Sequence, residues 1–250
     1  MKSVSILTAV AIITVYLGVT VYAQQNDALK ILNKVDEVSS APVDQYMSST
    51  MILVDKSDHQ NERKMVIYQK GGDMRLVRFL SPADQKGISF LSLPNDRMYL
   101  YLPAFRKVRL IASHVKNQNF AGTDFSYDDM SSFSFAQEYD AQLLETTDTI
   151  YLLKLTPKPE IEKDYSQLKM WVNKDSYVPS TIEYYNKSGN LWKILTFDNI
   201  EKIGKYQIAK HMEMKDLEKS HSTKMIINEI QLDSGLTDDI FTTRNLQRTQ

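Results

Sequence analysis

Cysteine is absent from all 250 residues, which excludes disulfide scaffolds, thiolate zinc centres, iron–sulfur clusters and cysteine nucleophiles. An excess of either charge sign is missing too: 30 Lys and Arg stand against 31 Asp and Glu, a net charge of −1. A nucleic-acid protein needs a basic face to displace phosphate counterions, so no nucleic-acid partner is expected. Glycine (8) and proline (7) are scarce, which argues against collagen-like and low-complexity chains. The 42% hydrophobic content is too high for intrinsic disorder. The chain has no H-E-x-x-H pair, no G-x-S-x-G elbow and no glycine-rich phosphate loop. Its four histidines, His59, His114, His211 and His221, form no close ligand pair. The chain is therefore expected to need no metal and no cofactor, and it reads as a protein without catalytic machinery.

Long hydrophobic runs are confined to one place. Lys2 precedes an uncharged stretch, Ser3 to Ala23, rich in Val, Ile, Leu and Ala and ending Val21-Tyr22-Ala23 before polar Gln24-Gln25-Asn26-Asp27. A positive start, an apolar middle and slim residues at −3 and −1 describe a secretory signal peptide. A retained membrane anchor is the alternative, since about 20 apolar residues span a bilayer. The Val-x-Ala site and the lack of a following basic cluster favour cleavage after Ala23. No Cys stands at the new terminus to carry a lipid, so residues 24–250 are expected to form one soluble domain. An exported chain without cysteine suits the periplasm of a Gram-negative-type bacterium better than a eukaryotic secretory route.

Beyond the leader, Asn26-Asp27 offers a cap for a short helix on which Leu29, Leu32, Val35 and Val38 recur every three residues. After Pro42 the period changes to two. Runs such as Met65–Tyr68, Met98–Leu102, Val108–Leu110, Tyr151–Leu155, Leu168–Val172 and Thr181–Tyr185 are rich in β-branched and aromatic residues and predict strands. Turn signals at 55–58, 71–73, 94–96, 173–176 and 186–190 separate them. Short strands with tight turns predict a large antiparallel meander. A second helix is expected within Thr123–Ala136, where Ser126-Tyr127-Asp128-Asp129 gives an N-cap and acidic first-turn residues. Thr237 to Phe241 reads as a capped helical turn.

A strand packing one face on a core should alternate apolar with polar. Several do not: Met98, Leu100 and Leu102 oppose Tyr99 and Tyr101; Leu168, Met170 and Val172 oppose Trp171; Leu191, Leu195 and Phe197 oppose Trp192 and Ile194. Either helices cover one face and another part of a curled sheet covers the other, or part of one face lines a groove for an apolar guest. The 11 methionines, among them Met47, Met51, Met65, Met74, Met98, Met170, Met212, Met214 and Met225 in predicted strands, suit either an irregular core or an accommodating surface.

Two charged clusters have competing readings. Arg106, Lys107 and Arg109 beside an apolar strand either meet an anionic head-group or acidic partner, or protect a strand edge. Asp124, Asp128 and Asp129 either hold a divalent cation or cap a helix, and they lack the regular spacing of a calcium loop.

Four segments recur in one order: Phe79 to Gly87 (FLSPADQKG), Met98 to Ala104 (MYLYLPA), Arg106-Lys107-Val108-Arg109, and Phe120 to Asp129 (FAGTDFSYDD). Together they resemble the periplasmic outer-membrane lipoprotein-sorting proteins of the LolA-like superfamily, with Trp171-Val172, the Tyr184–Gly189 turn and the Phe241 ending compatible. The resemblance implies a mainly β (α+β) fold: a single curved antiparallel sheet of about eleven strands, a half-open barrel with short helices covering its concave face. It also implies a monomeric periplasmic carrier whose partners are lipoprotein acyl chains or free lipid, an inner-membrane transporter and an outer-membrane acceptor. The groove candidates are then Met65, Met74, Met98, Tyr99, Tyr101, Met170, Trp171 and Trp192, and the head-group or partner contacts Arg106, Lys107 and Arg109. A second hypothesis is an accessory module of an efflux-type transporter without lipid cargo. A third, a hydrolase using Asp124 or Asp128, needs a neighbouring base that the sequence does not reveal. N-terminal sequencing of the exported protein is expected to read from Gln24; a mature chain starting at Met1 would refute cleavage.

Overall fold

The computed structural model describes residues 26–131 and 134–248; the leader expected at 1–23 lies outside the described residues. A helix α1 (26–39) leads into six strands: β1 (Asp44–Val54), β2 (Gln60–Lys70), β3 (Met74–Ser81), β4 (Ser89–Leu93), β5 (Arg97–Leu102) and β6 (Lys107–Leu110). The connection at 111–138 holds two 3₁₀ turns and ends in α2 (Phe135–Glu138). Seven more strands follow: β7 (Tyr139–Thr146), β8 (Ile150–Pro157), β9 (Tyr165–Asn173), β10 (Pro179–Asn186), β11 (Leu191–Ile203), β12 (Tyr206–Asp216) and β13 (His221–Leu232). A 3₁₀ turn (Asp238–Phe241) and α3 (Thr243–Leu246) close the chain.

All strands join one 13-stranded antiparallel sheet in the order β6-β5-β4-β3-β2-β1-β13-β12-β11-β10-β9-β8-β7. It is two meanders fused where β1 pairs with β13. Its ends, β6 and β7, are not paired with each other, so the sheet is open. The count of thirteen is close to the eleven or so that the resemblance implied, and it includes strands such as β7 (YDAQLLET) and the five-residue β4 that carry little apolar periodicity. The expected turns form; Asn95 and Asp96 both have φ 60°, the left-handed pair a tight hairpin requires.

Concave-face residues of both meanders, including Met65, Phe79, Phe90, Leu153, Leu168 and Met170, share one buried core with α1 and the 111–138 connection. On α1 the buried stripe is Ala28, Ile31, Leu32 and Val35, while Leu29 is exposed and Val38 only half-buried. A strict three-residue repeat falls about 60° short of a full turn at each step. The four expected positions therefore fan around the helix, and the real stripe follows i, i+3, i+4, i+7. The helix expected within Thr123–Ala136 is also corrected. Ser126 and Asp129 bond reciprocally, Ser126 N–H to Asp129 Oδ2 (2.8 Å) and Asp129 N–H to Ser126 Oγ (2.9 Å), yet the regular α-helix there is only α2. The capping box closes a turn, while Asp128 is drawn to Lys163 instead of the helix dipole. Phe120 fills the core here, with its ring 5.6–5.7 Å from those of Phe79, Phe90 and Tyr127.

The convex face explains part of the two-sided grease. Leu76, Leu91 and Tyr101 form a second cluster with Phe241 and Leu246, and Met74 and Tyr99 pack on it. The C-terminal segment is its cover. Asp44 fixes where that segment leaves β13: its carboxylate accepts the Ser234 hydroxyl (2.9 Å) and the N–H groups of Ser234, Gly235 and Leu236 (2.8–3.0 Å). Burial opposes ionisation of Asp44, but these four donors outweigh it and hold the carboxyl below its ordinary range. Such a group stabilises the fold above the unfolded carboxyl pKa of about 3.9 and loses that contribution as pH falls through the depressed native value. In urea titrations Asp44→Asn is expected to cost about 1–3 kcal/mol at pH 7. The gap to the parent should be flat above about pH 4 and close below it.

Candidate functional site

The core does not fill the whole concavity. Between the end of α1, the 111–138 connection and the inner faces of β1–β3 and β10–β13 lies a cavity of about 240 Å³. Its wall is mostly apolar: Met47 and Ile67 on one side, Ile182, Leu195, Phe197, Met212, Met225 and Ile227 on the other, with Phe125, Met130 and Phe135 from the connection. Small residues border it at Ser39, Ser40, Gly72 and Ser131. Polar exceptions in the wall are Gln69, Arg75 and Asp129. A mostly apolar, partly open chamber with a few polar groups is how ligand sites in open sheets are built.

A larger polar cleft of about 730 Å³ shares Ser40, Gly72 and Ser131 with the chamber, so the two adjoin. Carboxylates of Asp36, Glu37, Asp73, Asp96, Asp128 and Glu138 border the cleft, and most are engaged. Lys163 pairs with Asp128 at 2.5 Å and Glu138 at 2.6 Å, Lys116 with Asp96, and Lys34 with Glu37 at 2.8 Å. Asp36 accepts the Ser134 hydroxyl (2.5 Å) and the N–H groups of Phe135 (3.0 Å) and Ala136 (2.8 Å). Burial alone would lower the Lys163 ammonium, and its two carboxylates together raise it instead. Glu138 is pushed up by burial, against the opposing pull of Lys163. The Lys163 and Lys116 pairs fasten the connection to the segment before β9 and to the β4–β5 turn, and Asp36 fastens it to α1.

The acidic cluster of the sequence is dispersed. Asp124 is buried, with His221 Nδ1 and the Thr223 hydroxyl both 2.7 Å from its Oδ2, and its carbonyl takes the Lys193 ammonium at 2.8 Å. Thr223 bonds the carboxylate rather than His221, so no nucleophile–base line forms there. Asp128 serves Lys163, and Asp129 serves the Ser126 N–H. Among the described residues no group of three or more His, Cys, Asp or Glu could hold a metal ion.

The sequence-predicted groove residues fall in four places. Met65 and Met170 sit in the closed core, fully buried. Met98 is buried and borders the polar cleft. Met74, Tyr99 and Tyr101 lie on the convex face under the C-terminal segment. Trp171 lines a shallow hollow of about 150 Å³ with Ile150 and Leu152. Trp192 packs on the concave core, its ring 5.7 Å from Tyr165; the register shift between Tyr184 and Tyr185 brings it to the same side as its neighbour Lys193, whose ammonium lies 4.7 Å from its ring centre. None of the eight lines the 240 Å³ chamber. Arg106, Lys107 and Arg109 are exposed on the β5–β6 hairpin. There the Arg109 guanidinium lies 5.8 Å over the Phe105 ring, and Phe105 and Leu110 are 62% and 65% exposed. Sequence reasoning missed Arg75, Ile67 and Ile227; Met47, Met212 and Met225 were visible in the methionine pattern.

Comparison with known proteins agrees with this architecture. Among curated proteins none matches the chain. A domain from Vibrio parahaemolyticus, provisionally assigned as an outer membrane lipoprotein-sorting protein, superposes with a TM-score of 0.83 at 28% identity, over 90% of this chain and 100% of its own. A DUF1329 family protein from Desulfovibrio piger gives 0.83 at 28% identity, over 89% of this chain and 99% of its own. A LolA superfamily protein from Nitrosomonas europaea shares the fold, with a TM-score of 0.73 at 22% identity over 87% of this chain and 98% of its own. A family model described as that of an uncharacterized protein matches residues 71–248. The chain belongs to that uncharacterized family, and its fold is the one seen in the lipoprotein-sorting domain and the LolA superfamily protein it superposes on.

Proposed function

We propose that the protein is a non-enzymatic carrier that shelters the acyl chain of a lipoprotein or another lipid during transfer across the periplasm toward the outer membrane. The observation that carries this reading is the apolar chamber on the concave side of the open sheet. Burial of acyl carbon is worth about 0.8 kcal/mol per methylene. A dozen methylenes would supply about 10 kcal/mol of gross drive before ordering costs, so capture needs no chemistry beyond an apolar wall. Met47, Met212 and Met225 give that wall unbranched, polarizable side chains that adapt to guests of different shape.

The periplasmic setting follows from the leader, cleaved after Ala23, with residues 24–250 as the working domain. Among the described residues no helix is long and apolar enough to cross a membrane. The Phe105–Leu110 hairpin, with Arg106, Lys107 and Arg109 beside exposed Phe105 and Leu110, is the surface offered to an acidic partner or head-group at delivery. The lipoprotein-sorting assignment of the Vibrio relative supports the same class of cargo.

Lipid extraction and native mass spectrometry of purified protein are expected to find one acyl-chain ligand per monomer, or uptake of an added acyl probe at that ratio. Met212→Trp, which fills the chamber from β12, should weaken probe binding at least tenfold while the protein remains folded. Protein that is empty and binds no acyl probe would overturn the reading.

A further inference from the structure

Arg75 and Asp129 are the charged residues in the wall of the apolar chamber. Arg75 stands near the start of β3, directly across from Gln69 on β2. Its Nε and Nη2 both donate to Gln69 Oε1 (3.1 and 2.7 Å), and Nη1 donates to the carbonyls of Met130 (3.3 Å) and Ser131 (3.1 Å). Every one of these acceptors is neutral. Among the described residues no carboxylate lies within the 4.0 Å of an ion pair. One Nη2 N–H is left over, since a guanidinium has five. Burial pushes its pKa down to about 10, with no charged neighbour contributing, so it remains a cation at neutral pH. Arg75 is half-buried, and a charge taken partly out of water with neutral partners only is left open to an anion.

The nearby carboxylates do not fill that role. Asp129 turns Oδ2 to the Ser126 N–H (2.8 Å) and the Tyr165 hydroxyl (3.3 Å). Asp128 and Glu138 belong to Lys163, and Asp96 to Lys116. Position is equally telling. Arg75 bonds the Ser131 carbonyl, and Ser131 borders both the apolar chamber and the polar cleft. The cation thus stands where the head of an amphiphile would lie if its chain occupied the chamber.

We infer that Arg75 is a head-group anchor: the guest is an acyl chain carrying an anionic group, carboxylate or phosphate, that pairs with the Arg75 guanidinium. Arginine suits both anions because its planar fork matches their oxygens. This rests on the carrier reading and specifies its ligand class.

The test uses the delipidated protein loaded with the uncharged fluorescent probe N-phenyl-1-naphthylamine, displaced at pH 8 by ligands of one chain length: dodecanoate, dodecyl phosphate and dodecanol. At least one anionic ligand is expected to displace the probe at a concentration at least tenfold below that of dodecanol, a difference of about 1.4 kcal/mol. In Arg75→Gln that ratio should fall to within about twofold while dodecanol displacement is unchanged, which also shows that the variant retains the chamber. The stronger anion identifies carboxylate or phosphate as the head. Equal displacement by all three in the wild type, which requires no variant, would overturn the anchor and leave the carrier standing, as would a preference that survives in Arg75→Gln. Failure of every ligand to displace the probe, or of the probe to bind, would overturn both.

Discussion

An antiparallel sheet of thirteen strands that curls without closing has two apolar faces to cover and only short helices to cover them with. That constraint organises the rest of the molecule. The convex side over β3–β5 is covered by the last residues of the chain, through Phe241 and Leu246. The concave side receives α1 and the 111–138 connection, which pack tightly against Phe79, Phe90 and Met98 but leave a chamber against β10–β13. A core at native density tolerates few voids larger than a water molecule, so the chamber of about 240 Å³ lined by Met, Ile, Leu and Phe is the departure from close packing that the carrier reading assigns to a guest.

Polar chemistry then decides how the connection is held over that chamber. Asp124 fastens it to β13 through His221 and Thr223, Asp128 and Glu138 fasten it to Lys163, and Asp36 of α1 caps α2. Each carboxylate is engaged by named donors, which is the condition for burying charge at tolerable cost. The connection is thus positioned by Phe120 in the core and by directional bonds from Asp124 onward to Glu138, while its Phe125, Met130 and Phe135 face the chamber. The bonds that hold this wall are thus separate from the apolar side chains that line the chamber.

Much of this was legible in the sequence, for physical reasons that also set the limits. Period-two runs and turn residues exposed the meander, because side chains alternate along a strand and positive φ selects Asn, Asp and Gly. Two-sided grease on β5 was real, yet its meaning was split: Met98 faces the concave core and Tyr101 the C-terminal cover. Which face meets which cover is a long-range fact, absent from local pattern. The groove candidates inherited that ambiguity. Met65 and Met170 became closed core, and the chamber took Met47, Met212 and Met225 instead, although all five look alike in sequence. Arg75 sat unnoticed in an ordinary strand, since only the fold shows that its partners are neutral.

The central claim is that an acyl chain lies in the chamber and not elsewhere in the core or on the surface. Methionine methyl groups report this directly. With selectively methyl-labelled methionine and an acyl ligand bound, intermolecular nuclear Overhauser effects from the chain are expected at Met47, Met212 and Met225 and absent at Met65 and Met170. Contacts to Met65 and Met170 without any to the first three, or to Met74 on the convex face, would contradict it.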